Sequence, residues 1–325
     1  MERKEAGQNP NIFRWTVEPP AVDTPLSQLV AARLPLRDGE AEDLIDFGAV
    51  HVNGSRHRDP SRKMAAGDEI RVYMPLLGIR REYEIDPARV IYRDEDLFAY
   101  DKEAGVPSQP VPYDAYNNVH EALNRHLRRE VGAARAYAGM HHRLDMETGG
   151  VLLFSLNRKA NSGLARAFEH REVRKYYLAW LEGKPDRDEW ISEENIDRVK
   201  GGYAAFKGKR GKEARTRFQV VEVANSGDGF LALAAPLTGR THQIRLHAKA
   251  AGHPVRGDRL YGRKTGGKLM LHAWRLEITH PRKETELILI SPVPEWWPRT
   301  SCPSIPDSWR NAARPAHQPS RRRVR

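Results

Sequence analysis

The chain is poor in what would make it a secreted, membrane or cysteine-liganded protein. Its 325 residues contain one cysteine, Cys302. An intramolecular disulfide is therefore impossible, and a cysteine-rich metal site is excluded. No window approaches the ~18 uninterrupted apolar residues of a membrane span. Met1 to Pro20 mixes charged residues with Asn11, Trp15 and prolines and lacks the apolar centre of a signal peptide. These absences point to a reducing, cytoplasmic location and to no membrane partner. Acidic charge is in relative deficit as well. Lys and Arg number 54 against 43 Asp and Glu, a net charge of +11, with a pI near 9.7. That balance favours a polyanionic partner, nucleic acid first, over a merely solvated basic surface.

The most informative segment is His141-His142-Arg143-Leu144-Asp145-Met146-Glu147-Thr148-Gly149-Gly150, which runs into the apolar Val151-Leu152-Leu153-Phe154. A carboxylate two residues after an arginine, in a glycine-ended loop at the mouth of a buried strand, should stay ionised near neutral pH. Such an Asp can act as a nucleophile or a general base. It can equally be half of a structural Arg/Asp pair that orders the loop, and the segment alone does not choose between these.

Along the chain, Asp23-Thr24 reads as an N-cap ahead of Leu26, Leu29, Val30 and Leu34. A second helix carries Ala41, Leu44, Ile45 and Phe47 and stops at Gly48. Alternation through Ala49 to Val52 ends in Asn53-Gly54, a hairpin signal, and Glu69 to Tyr73 alternates again after Gly67-Asp68. Beyond residue 88, short strands (Val90 to Tyr92, Leu97 to Tyr100, Val151 to Phe154, Tyr176 to Leu181) alternate with helical stretches, the clearest from Arg158 to Phe168. An α+β fold is expected: a mixed, mostly antiparallel sheet flanked by helices, with a small N-terminal α/β module. The expected divisions are a flexible segment over 1–20, a small helix-and-strand module over 21–76, a linker over 77–88, a larger domain over 89–300, and a disordered basic tail over 301–325.

The pattern His142-Arg143-Leu144-Asp145-x-x-Thr148-x-Gly150 resembles the signature of the RluA-type pseudouridine synthases. Two further stretches strengthen the resemblance: Lys175-Tyr176-Tyr177-Leu178-Ala179, and Thr238-Gly239-Arg240-Thr241-His242-Gln243-Ile244-Arg245-Leu246-His247 with Gly257-Asp258 and Tyr261-Gly262 after it. The likeness spans roughly Arg89 to Pro298. Two departures bear on loop geometry: Gly149 stands where the family often has Ser, and Lys102-Glu103-Ala104-Gly105 where it commonly reads Lys-Pro-x-Gly. The resemblance implies isomerisation of uridine to pseudouridine in RNA without metal or cofactor. It implies Asp145 as the reacting carboxylate, Tyr177 against the target base and Arg245 paired with Asp145. Arg143 would displace the base, and Arg240 and His242 would line the substrate site. His247, His253, His141 and His142 are expected to order loops.

Residues 44 to 70 are similar to the S-four-like RNA-binding module, named after a ribosomal protein. Arg56, Arg58, Arg62 and Lys63 crowd its hairpin, where they could meet phosphates without reading sequence. Arg198 to Arg217 interleaves basic residues with Tyr203 and Phe206, a composition suited to splayed RNA or to a solvated hairpin. The accessory module favours ribosomal RNA of the large subunit over transfer RNA as target, and a monomer is expected. A non-catalytic RNA-binding factor would have no need for Asp145, Tyr177 and Arg245 together. A metal-dependent nuclease would need clustered carboxylates. The tightest group, Asp94, Glu95 and Asp96, reads as a solvated turn.

Overall fold

A computed structural model describes residues 11–75, 78–263, 266–298 and 303–310, and the chain divides into two compact units. The first unit holds strands β1 (Ile12–Thr16), β2 (Val50–Val52), β3 (Ser55–Arg56) and β4 (Glu69–Tyr73), with helices α1 (Leu26–Arg33), α2 (Glu40–Asp46) and α3 (Val119–Val131); α1, α2, the β2–β3 hairpin and β4 are the elements expected there. The strands pair antiparallel in the order β1-β4-β2-β3. Leu26, Val30, Leu44, Ile45, Val50, Val52, Ile70 and Val72, spaced as helix stripes and strand alternation demand, bury together as its core. The β2–β3 turn places Asn53 and Gly54 at φ 50° and 79°, the left-handed pair that a two-residue hairpin of this hand requires.

Three expectations are corrected here. Within the segment expected to be flexible, Ile12–Thr16 is a paired strand whose Trp15 packs on the core, and Pro19 and Pro20 follow its end. Helix α1 starts behind Pro25 with no side-chain cap, so Asp23 and Thr24 do not cap it. The domain boundary near residue 89 is not clean, because Pro107–Ala136, including α3, belongs to the first unit.

The second unit is built on β5 (Val90–Arg93), β6 (Leu97–Lys102), β7 (Gly139–Met140), β8 (Gly149–Ser155), β9 (Arg174–Glu182), β10 (Glu189–Ser192), β11 (Asn195–Val199), β12 (Gly202–Phe206), β13 (Thr216–Val223), β14 (Gly229–Pro236), β15 (Leu271–Thr279) and β16 (Glu286–Ile290). Helices α4 (Arg158–Glu169), α5 (Gln243–Ala250) and α6 (Asp307–Arg310) accompany them. Ten strands form one sheet along the path β10-β13-β14-β9-β15-β8-β6-β5, with β16 on β15 and β7 on β8; β11 and β12 make a separate hairpin. Within the sheet the β15–β8 pair is parallel and the other pairings antiparallel, as the mixed, mostly antiparallel reading expects. The apolar runs of β8 and β14 are buried throughout because the sheet is covered on both faces there. Residues Tyr177, Ala179 and Leu181 of β9 share one face with α5, while Tyr176, Leu178 and Trp180 face a tryptophan-rich cluster.

The expected disordered tail is also corrected over its first residues. Ile305 and Trp309 are buried in that tryptophan cluster, and the Trp309 indole donates to Glu189 at 2.8 Å. Burial of two large apolar side chains outweighs the Pro/Ser composition of the segment. Residues 311–325, with the arginines that close the chain, lie outside the described residues, as do Met1 to Pro10, Leu76, Leu77 and Cys302. No described helix is long and apolar enough to cross a membrane.

Candidate active site

Asp145 lies in the loop between β7 and β8, and the fold fixes that loop from several sides. Its carbonyl accepts from the Thr148 amide at 3.0 Å, and the next carbonyl, Met146, accepts from the Gly105 amide at 2.7 Å. The Lys102 ammonium, almost fully buried, donates to the carbonyls of Glu103, Val106 and Met146 at 2.8, 2.7 and 3.1 Å. Burial depresses the Lys102 pKa to about 7, against the pull of Glu103, Asp145 and Asp101. The departure at 103–104 therefore leaves the lysine anchor intact. Gly150, at φ 115°, has no room for a side chain: a Cβ there would lie 2.2 Å from the Ala273 carbonyl oxygen of β15. At Gly149 an added Cβ would sit 3.1 Å from the Lys102 carbonyl oxygen, so a serine would need only a small shift.

Arg245, one hundred residues further on, reaches this loop from α5. Its Nη1 lies 3.4 Å from Asp145 Oδ2, while Asp145 keeps a quarter of its side chain exposed. The shortest bonds of Arg245 go elsewhere. Nε and Nη2 donate to the two oxygens of Asp258 at 2.8 and 2.7 Å, and both side chains are almost fully buried. Asp258 also accepts from the Leu260 and Tyr261 amides at 2.9 and 3.0 Å. Burial alone would raise the Asp258 pKa, but Arg245 and these amides outweigh it and hold the carboxyl below its ordinary value. Burial likewise works against the Arg245 charge, and Asp258, with Asp145 and Glu147, more than restores it. The Glu147 carboxylate stands 3.8 Å from Nη2, and the Tyr261 ring lies under the guanidinium at 5.2 Å. Arg245 is thus a preorganised cation with one N–H edge turned to Asp145.

His242 precedes α5 in a left-handed conformation at φ 55°, uncommon for a residue with a side chain. Its Nδ1 is 2.7 Å from the Tyr261 hydroxyl and its Nε2 3.9 Å from Asp145 Oδ1. Burial lowers its pKa, with Asp145 pulling the other way. Tyr177 is half-buried on the same face of β9, and burial, then the Asp145 charge, makes its hydroxyl a weaker acid. Next to it, burial brings the Lys175 pKa down to about 8, and Tyr177, Lys175, His142 and Arg275 line a small cleft with Val151, Ala273 and Leu276.

The fold thus gathers Asp145, Arg245 and His242, with Tyr177 within reach of the Asp145 charge. Arg143 is exposed and makes no ion pair with Asp145 among the described residues, so the cation facing the carboxylate is Arg245 and not its sequence neighbour. Arg240 is tied to the Glu213 carbonyl at 2.9 Å. In the first unit Arg58 and Lys63 are exposed, Arg56 donates to the Val111 carbonyl, and Arg62 bonds the His57 ring at 3.1 Å. The remaining histidines order loops. His142 Nε2 accepts from the Leu153 amide at 2.9 Å, with burial holding its pKa near 3; His247 bridges Thr216 and the Glu194 carbonyl; His253 bonds the Glu182 carbonyl.

Asp258 and Tyr261 stand within a motif of the chain that assigns them no part in the site, and Glu147 and Lys102 carry no sequence signal for one. No local signal marks Asp258 as the partner of Arg245; that depends on the turn after Val255 doubling back on α5. The solvated reading of Asp94 to Asp96 is corrected as well. Asp96 is fully buried, and Asp94 accepts from Tyr92, His280, Lys283 and the Asp96 and Leu97 amides at 2.6 to 2.9 Å. Burial opposes that charge, yet Lys283, Tyr92 and the Asp96 and Leu97 amides hold Asp94 far below the usual carboxylate range. Asp94, Asp96 and His280 are close enough to share a metal ion. Lys283 and Arg282 already supply the positive charge there.

A family model described as RNA pseudouridylate synthase matches residues 96–250. An uncharacterised RNA pseudouridine synthase of Aquifex aeolicus is 33% identical over 269 residues, covering 78% of this chain and 84% of that protein. The ribosomal large subunit pseudouridine synthase D of Nitrosomonas europaea is 30% identical over 306 residues, 89% of this chain and 86% of that protein. The dual-specificity RNA pseudouridine synthase RluA of Escherichia coli K12 is 33% identical over 203 residues, 59% of this chain and 87% of that protein. Among solved structures, human RNA pseudouridylate synthase domain containing 1 superposes with a TM-score of 0.51 at 28% identity, over 65% of this chain and 86% of that one. Human RNA pseudouridylate synthase domain containing 4, at 21% identity and a TM-score of 0.54 over 64% and 89%, shares the fold.

Proposed function

Since the chain belongs to the RNA pseudouridylate synthase family, of the RluA type, we propose that it isomerises uridines of large-subunit ribosomal RNA, with Asp145 as the reacting carboxylate. The enzyme is an isomerase. The bond from ribose C1′ to uracil N1 breaks, the base turns, C1′ bonds to C5, and the C5 proton is lost as N1 regains one. Atoms and electrons balance without an oxidant or an energy-rich donor. The observation that carries the residue assignment is the open edge of Arg245. A guanidinium locked by Asp258 presents Nη1 to Asp145 at 3.4 Å, near enough to hold the carboxylate without covering it.

In this reading Asp145 acts as nucleophile or base on a uridine turned out of its stack, since a base in a helix is out of reach of any side chain. Exposed Arg143 takes the place of the extruded base, Tyr177 packs on the uracil, and His242 and Arg240 line the mouth. A hydroxyl as weakly acidic as that of Tyr177 stays protonated and serves as donor. Arg58 and Lys63 of the first unit meet phosphates. The protein works as a monomer in the cytoplasm. The name of the Nitrosomonas relative favours the ribosomal substrate; that of the Escherichia coli relative, a dual-specificity RNA pseudouridine synthase, favours more than one RNA target for the same chemistry, and transfer RNA is the alternative target.

Chemical mapping of pseudouridine in cells with and without the gene tests this. Sites in large-subunit ribosomal RNA should vanish on deletion and return with the intact gene but not with Asp145→Asn. Restoration by Asp145→Asn would overturn the assignment of the carboxylate; sites lost only from transfer RNA would overturn the substrate.

A further inference from the structure

The hairpin β11–β12 and the loop that follows it take no part in the chemistry just described. Residues 195–212 hold six basic residues and one acidic residue, the strongest local excess of positive charge in the second unit's described strands and loops. The acid, Asp197, is engaged by Arg210 at 3.6 Å. Lys200, Lys207, Lys209 and Lys212 are exposed, and among the described residues none of their side chains makes an ion pair. The loop is nevertheless anchored. Ile196 and Lys212 exchange both backbone hydrogen bonds at 2.9 Å, folding it back along β11.

One face of the hairpin is seated on the catalytic helix. Ile196 packs with Leu246 of α5 and Ala214, and Tyr203, Ala205 and Tyr261 close around them. Register places Arg198 directly opposite Tyr203, so both project from that same face. The Tyr203 ring lies edge-on to His242, centroids 5.8 Å apart, and His242 is itself 3.9 Å from Asp145. On the other face Phe206 carries the Arg210 guanidinium at 4.0 Å. One hairpin and its loop thus carry a half-exposed tyrosine separated from Asp145 only by His242, an exposed arginine opposite that tyrosine, and four exposed lysines without ion pairs among the described residues.

We infer that this hairpin is the docking surface for the single-stranded RNA flanking the target uridine, with Tyr203 stacking on the adjacent base and the lysines following its phosphates. The inference rests on the RNA-modifying reading and deepens it. Single-stranded rather than duplex RNA fits because an aromatic face offers stacking only to a base that has left its helix, and because every base has such a face. Anchorage on α5 ties the grip on the flank to the helix that carries Arg245.

The test is binding of a labelled uridine-rich single-stranded 20-mer to the full chain across a salt series. The variant replaces Lys200, Lys207, Lys209 and Lys212 by alanine. Loss of four phosphate contacts should weaken binding about tenfold or more and flatten the plot of log affinity against log salt by roughly 3, at about 0.7 per contact for single strands. Affinity within twofold of wild type and an unchanged slope would overturn the proposal, and an equal loss on a 20-base-pair RNA duplex would overturn the choice of occupant. Tyr203→Ala should weaken the single-strand complex several-fold and Tyr203→Phe should restore it; failure of phenylalanine to restore it would remove the stacking role. Binding is read here without turnover. Absence of any pseudouridine product from wild type would instead count against the reading of function.

Discussion

Two regions of the second unit concentrate acidic groups, and they are built in opposite ways. In the turn before β6, Asp94 is closed: five donors surround it, including the Lys283 ammonium at 2.6 Å. In the loop before β8, Asp145 is open: its carboxylate has Arg245 at 3.4 Å and His242 at 3.9 Å, and a quarter of it faces solvent. The cation facing Asp145 satisfies its own hydrogen bonds on Asp258. A carboxylate saturated by its own protein is architecture, whereas one left with room, beside a cation that cannot collapse onto it, is poised to meet a substrate.

The comparison breaks most visibly at Asp145. Asp145→Asn should lower kcat on the order of 1000-fold or more, with RNA affinity within tenfold and the unfolding midpoint close to wild type. Single-turnover assays and urea denaturation check both halves; loss of stability matching loss of turnover would mean that Asp145 is structural. Next comes Asp258→Ala, which strands a buried guanidinium. Stability should fall by about 3 kcal/mol or more, and turnover should fall too because Arg245 is then free to close on Asp145. Retention of both by this variant would show that the Arg245–Asp258 pair does not set the open geometry.

Asp94→Asn should have the converse profile of Asp145→Asn, with about 1 to 3 kcal/mol lost from stability and turnover per folded molecule unchanged. A selective loss of turnover in that variant would erase the distinction between the two regions. The smallest effect concerns acid. His142 is held neutral, with a folded pKa of about 3 against 6.5 when unfolded. The unfolded chain therefore takes up the proton first as pH falls below 6.5, and stability is lost progressively down to about 3. Between pH 7 and 5.5 the His142→Gln variant should lose about 1 kcal/mol less than wild type in parallel urea titrations. Parallel losses in the two proteins would show that the ring is not the proton acceptor concerned.

Much of this was legible in the chain. Helices and strands with a clean period, such as Arg158–Glu169 and Glu69–Tyr73, lie where their apolar spacing puts them, and the Asn53-Gly54 turn has the geometry its residues favour. The three stretches that carry the resemblance hold Asp145, Tyr177 and Arg245, which the fold brings near one another. What misled were segments whose composition hides their burial. Ile12–Thr16 reads as part of a flexible segment until its pairing with β4 is known, and Ile305 and Trp309 read as tail until the tryptophan cluster is seen.

The sequence by itself determined the class of chemistry, the positive surface and the local elements, because periodicity, net charge and residue type are properties of a chain read in order. Only the tertiary structure decided that Asp258 restrains Arg245, how far Arg245 stands from Asp145, that Asp94 is closed, and that a basic hairpin rests on α5. Each of these depends on side chains brought together across thirteen to nearly two hundred residues, and distance in space between such groups is fixed by the packing of the sheet and not by their spacing along the chain.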